Sequence, residues 1–155
     1  MVDRALAFER PETRAAATYW AALCGQRLMP SRSELKPSAM RRFLQFVNLV
    51  DINFEADSYM VTLQGAHTQQ VFGNLRGQKF RDLFPPEVVK RWRECFQLTR
   101  DTNLPVRLSS QVGTQGKLWL QCEVLIAPLS GRDGGLESLL WVFVSWDRDE
   151  VLVES

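Results

Sequence analysis

Apolar and polar residues change period several times along the chain, and each change marks an element. From Tyr59 to Leu63 they alternate, with Tyr59, Val61 and Leu63 to one side and Met60 and Thr62 to the other. That period of two predicts a strand with one buried face. Gly65 ends the strand, a short helix over 66–72 follows, and Gly73 and Gly77 then break the chain twice within five residues. Upstream, Ala16, Tyr19, Trp20 and Leu23 recur at i, i+3, i+4 and i+7, an amphipathic helix with Thr13 as its N-cap and Gly25 as its stop. A polar segment fenced by Pro30 and Pro37 leads to a second apolar stripe, Met40, Phe43, Leu44 and Val47. Over 46–54 the period returns to two, and Phe46, Val50, Ile52 and Phe54 share one strand face with Asn48. Asn48 then points inward among hydrocarbons, where its amide needs partners from neighbouring backbone or from a bound ligand. The acids and Ser over 55–58 supply the turn into the next strand.

Pro85-Pro86 opens a longer helix with Val88, Val89, Trp92, Cys95, Phe96 and Thr99 on its inner side. Three strands follow, over 104–112, 117–127 and 136–146. The last carries Leu140, Val142, Val144 and Trp146 on one face and Leu139, Trp141 and Phe143 on the other. Two apolar faces predict a central strand covered on both sides. The helices after Gly65 cover one side; the N-terminal aromatic helix, a second subunit or both cover the other. The organisation is a helix and polar connector over 1–36, an α+β domain over 37–147 and a polar tail over 148–155.

A length of 155 residues fits one domain. The balance of 19 basic against 18 acidic residues, net +1, lacks the concentrated basic surface of a nucleic-acid binder. No apolar run approaches the roughly 20 residues of a membrane span, and the first residues lack the apolar core of a secretion signal. A cytoplasmic location is the default. Three scattered cysteines, Cys24, Cys95 and Cys122, read as buried small apolar residues, and with a single histidine no metal-ligand spacing arises.

Catalytic chemistry has little to rest on. His67 is the sole histidine, so any Ser or Cys nucleophile would have to lie beside it, and phosphate-cradling glycine motifs are absent. The space between sheet and helices is expected to be lined by Val50, Leu63, Phe72, Trp92 and Phe96, with Asn48, His67 and Thr99 as polar anchors. It is either a small-molecule pocket or a filled core. Ligand contacts are accordingly expected at Asn48, Leu63, His67, Phe72, Trp92 and Phe96. Self-association is expected through Tyr19, Trp20, Leu23, Trp141 and Phe143.

Four segments carry a resemblance. Residues 28–37, LMPSRSELKP, resemble the "PxRxDIDP" signature of a PAS subfamily found mostly as small stand-alone alphaproteobacterial proteins, with Glu34 and Lys36 where Asp is frequent. Leu63-Gln64-Gly65-Ala66 is similar to that family's "RLxGT", Phe72-Gly73-Asn74-Leu75-Arg76-Gly77 to "FGxxLTG", and residues 123–129, EVLIAPL, to "ExLLLPL". The likeness spans about 19–146. It implies a PAS-like five-stranded antiparallel sheet in order 2-1-5-4-3, with helices on one face and an N-terminal helical extension. It also implies a non-enzymatic sensory or protein-interaction domain acting in signal transduction, as a homodimer, through an unidentified signalling partner in trans, with a small-molecule ligand possible and no nucleic acid or membrane. The cofactor is unknown. The reactive cysteine of a flavin photosensor is missing from 65–84, and haem would have His67 as its one candidate ligand. Two alternatives remain: a cone-shaped α+β isomerase or cyclase using a pair such as Asp51 and His67, and a haem sensor.

Overall fold

The structure, a computed structural model, describes residues 2–3, 6–114 and 117–147. The expected polar tail over 148–155 and the tip of the turn at 115–116 lie outside the described residues. Among the described residues, six strands form one antiparallel sheet: β1 (Val2–Asp3), β2 (Val47–Asn53), β3 (Ser58–Leu63), β4 (Val106–Thr114), β5 (Lys117–Ser130) and β6 (Leu136–Asp147). Their spatial order is β1-β4-β5-β6-β2-β3. Counted from β2, the five long strands run 2-1-5-4-3, the order that the PAS resemblance implies. The central strand is β6, between β5 and β2.

The two apolar faces of β6 separate two cores. Leu139, Trp141 and Phe143 pack with Val50, Tyr59, Val61, Val124 and Ile126 against α2 (Ala66–Phe72), α3 (Phe80–Leu83) and α4 (Pro86–Thr102). Leu140, Val142 and Val144 pack with Val47, Leu49, Leu125, Ala127 and Leu129 against α1 (Pro11–Cys24) and the turns that follow it. Helices therefore cover both faces, and the N-terminal helix is the element that covers the second.

Several elements depart from the pattern. Thr13 is not the cap of α1: Arg10 holds that position, and Thr13 sits buried in the first turn. The buried ridge runs Thr13, Ala16, Trp20, Cys24, one step round the helix from the expected stripe, leaving Tyr19 and Leu23 half-buried on the flanks. Gly25 ends the helix at φ 57°, a conformation that suits glycine. The second apolar stripe forms two short 3-10 turns, Pro37–Met40 and Leu44–Phe46, rather than a helix, and Leu44 is exposed. Phe46 precedes β2 and joins the α1-side core, so it does not share a face with Val50. The strand expected from Leu104 starts at Val106, because the chain leaves α4 through Asn103 in a left-handed conformation (φ 54°), and Leu104 stays exposed.

Candidate functional site

The helix-facing side of the sheet is where the sequence places either a small-molecule pocket or a filled core. Trp141, at mid-β6, is fully buried there beneath Phe80 of α3 (ring centroids 5.6 Å apart) and Trp92 of α4 (5.4 Å). Phe80 meets Phe96 at 5.5 Å, Phe96 meets Tyr59 at 5.0 Å, and Phe72 meets Phe143 at 5.2 Å and Phe84 at 5.8 Å. These edge-to-face and tilted contacts are the arrangements aromatic rings favour. The space between sheet and helices is thus occupied by a continuous set of rings. Phe72, Trp92 and Phe96 are brought together as expected, whereas Leu63, at the end of edge strand β3, is 42% exposed and stands apart. Phe80, Phe84 and Tyr59 were not singled out, although Phe80 and Phe84, four apart across one helical turn, signal an inward pair. Trp141 Nε1 is buried without a hydrogen-bond acceptor among the described residues.

At one end of the rings Asn48 is fully buried and fully engaged. Its Nδ2 donates to Thr68 Oγ1 (2.9 Å), Trp141 O (3.1 Å) and Phe46 O (3.2 Å), and its Oδ1 accepts the Gly65 N–H (2.9 Å). The amide fixes the entry to α2. Gly65 is needed for space rather than for its dihedrals: a Cβ there would lie 2.3 Å from the Gln45 carbonyl oxygen.

His67, the second residue of α2, lies between Phe46 (4.8 Å) and Phe143 (6.1 Å). Its Nε2 accepts the Ser145 N–H at 3.1 Å and lies 2.8 Å from Ser145 Oγ. Accepting a backbone N–H requires an unprotonated Nε2 and places the proton on Nδ1. Burial pushes the His67 pKa below its ordinary value, opposed by the charge of Glu12. A Ser–His pair is therefore present, but the lone pair that would act as base already receives the backbone N–H, and the contact latches α2 to the end of β6. Asp51, the other member of the isomerase-type pair, is bound to Arg32 at 2.7 Å.

On the opposite face, Glu123 of β5 is 1% exposed and caps α1 from outside the helix. Its carboxylate accepts the N–H of Glu9 (2.8 Å) and of Arg10 (3.0 Å), the Thr13 hydroxyl, and Arg107 Nε (3.0 Å) and Nη2 (2.8 Å). Burial raises the carboxyl pKa, but the amides of Glu9 and Arg10, Thr13 and Arg107 together outweigh it and hold the group below the ordinary range. Arg10 stacks over Trp146 at 4.0 Å. Trp20 Nε1 donates to Pro128 O at 2.9 Å. Pro128 pairs with β6 and lies beyond the first residue of β4, Val106, so its missing N–H is no loss and its carbonyl is free for Trp20.

Of the residues expected at a self-association surface, Trp141 and Phe143 are fully buried under the helices and Trp20 is 6% exposed in the α1 core. None of the three can meet a second copy, because each fills one of the two cores. Tyr19 and Leu23 are partly exposed.

The sequence profile of the PAS domain matches residues 8–144. The chain belongs to the PAS domain family. Among solved structures, the PAS fold is matched by the light state of the blue-light photoreceptor Aureochrome1 LOV at 13% identity and TM-score 0.50, covering 75% of this chain and 92% of that one. A sensory box sensor histidine kinase from Vibrio cholerae gives 13% identity and TM-score 0.49 over 76% of this chain and 100% of that chain. A sensory box histidine kinase/response regulator from Burkholderia thailandensis gives 11% and 0.47, over 77% and 93%. No match is found among curated proteins. At this identity the likeness is one of fold. Within the PAS frame, the segment after α1 is a strap: Arg32 reaches Asp51 on β2 and Thr62 Oγ1 on β3 (3.1 Å), and Ser130 N donates to Pro30 O (2.9 Å). Arg27 grips Glu34 through two bonds of 2.6 and 2.8 Å and, with the Ser31 amide, holds the Glu34 carboxyl down at about 2.

Proposed function

We propose that this PAS domain is a non-enzymatic sensory and protein-interaction module that passes its signal to a partner in trans. The observation carrying this reading is the ring-filled space between sheet and helices, with the Asn48 amide engaged on all sides by the protein itself. A core packed in this way favours docking over retention of a small molecule. The single histidine latches α2 to β6 and is flanked by two aromatic rings, which leaves neither a free catalytic base nor an open haem-ligand position at that nitrogen. Among the described residues no helix is long and apolar enough to cross a membrane.

Native mass spectrometry of freshly purified protein tests the reading: the expected species has the mass of the bare polypeptide or a whole multiple of it. A retained small molecule would overturn docking as the primary role. The same spectrum reports self-association. Leu23→Glu, which alters a half-buried flank of α1, is the variant that dissolves a homodimer if α1 supports one. Trp20→Glu unfolds the α1 core instead.

A further inference from the structure

The outer flank of α1 and the turns after Pro37 leave between them a groove of about 610 Å³. Ala15, Tyr19 and Phe43 form its apolar floor, and Arg14, Arg41 and Arg42 line it with no aspartate or glutamate among the lining residues. In a chain of net charge +1, three cations around one concavity are a local excess. Arg14 is anchored on the carbonyl oxygens of Phe8 (3.2 Å) and Glu9 (3.1 Å), and among the described residues its charge has no carboxylate partner. Arg41 and Arg42 are exposed and form no hydrogen bond or ion pair among the described residues. Arg27, Arg32, Arg93 and Arg100, by contrast, each hold a carboxylate.

We propose that this groove docks an acidic segment of a partner protein, an apolar side chain seated on Tyr19 and Phe43 and carboxylates set against Arg41 and Arg42. The inference rests on the interaction-module reading and names the chemistry of the partner. Charge complementarity selects the occupant. A second copy bound about a two-fold axis through the groove would set three arginines against three. Nucleic acid asks for a broad basic face, which a near-neutral chain lacks. A flat bilayer leaves the concave apolar floor unfilled.

The test is a selection of displayed random linear peptides on the full chain. Enriched peptides are expected to carry Asp or Glu flanking an aromatic or aliphatic residue. Their binding to the double variant Arg41→Glu/Arg42→Glu should fall by about tenfold or more, and Lys90→Glu/Arg91→Glu on α4 should leave it unchanged. Replacing the peptide's acids by lysine should restore binding to the Arg41→Glu/Arg42→Glu protein. Circular dichroism checks the fold, and Arg41→Gln/Arg42→Gln serves if the charge reversal perturbs it. Neutral or basic peptides, no enrichment, or equal loss in both double variants overturns the proposal. So does Arg41- and Arg42-dependent co-sedimentation with phosphatidylglycerol vesicles, or a dimer in sedimentation velocity that these substitutions dissolve. A ligand-bearing native mass would instead count against the module reading alone, so the two failures are distinguishable.

Discussion

Asn48 ties together three pieces of chain that are distant in sequence: Gly65 and Thr68 at the start of α2, and the Trp141 carbonyl on β6. Replacing it with Ala leaves the Gly65 N–H without its acceptor in the core. At about 1–3 kcal/mol for an unsatisfied buried group, Asn48→Ala should lower stability by about 1–3 kcal/mol in urea denaturation. A change under about 1 kcal/mol would show that the network contributes little. The inward aim of Asn48 was legible from strand alternation. Its distant partners were not, since Gly65, Thr68 and Trp141 lie 17 to 93 residues away and no local period reports them. Thr13 shows the same limit: at a helix start Thr reads as a cap, and only the fold brings Glu123, 110 residues on, within reach of its hydroxyl. Leu63 fails for a simpler reason. It continues the alternation of Tyr59 and Val61, but β3 is an edge strand ending there, and nothing packs over it.

At the scale of elements, the order and type of the long strands and of α1, α2 and α4 followed from periodicity, and the central position of β6 followed from its two apolar faces. What covers each face is settled by two latches. Glu123→Gln removes the charge that receives the Glu9 and Arg10 amides and Arg107. A hydrogen bond to a charged group is worth about 1.5–3 kcal/mol; hydrogen exchange should therefore speed up in α1 and β4 and remain slow in α4. Because the folded carboxyl pKa lies below its unfolded value, its stabilisation is complete above the ordinary Glu range and is lost as pH falls through the folded pKa. His67 works in the same direction at milder pH. Its folded pKa is below the ordinary value of about 6.5, so the neutral latch to Ser145 is fully stabilising above that value and weakens as pH falls further. Denaturation midpoints of wild type should drop between about pH 7 and pH 5, and His67→Phe should remove most of that drop. An identical slope in the variant would assign the pH dependence elsewhere.

For the molecule as a whole, the division of the sheet into two cores decides which surfaces remain for contact with other proteins. Aromatic side chains that looked like contact residues in the sequence, Trp20, Trp141 and Phe143, are interior, because the strand and helix periods that expose a face on paper cannot say which neighbour will cover it. α1 is fastened at its start by Glu123 and, through two adjacent residues of its second half, by Tyr19 Oη accepting the Lys36 N–H at 3.1 Å and by the Trp20–Pro128 bond. Anyone trimming this protein for fusion or labelling should therefore leave the first thirty-six residues attached. A shortened version starting at Pro37 bares the oily strip of Leu125, Leu129, Leu140, Val142 and Val144. It should precipitate on expression, while the polypeptide of residues 1–155 stays in the supernatant.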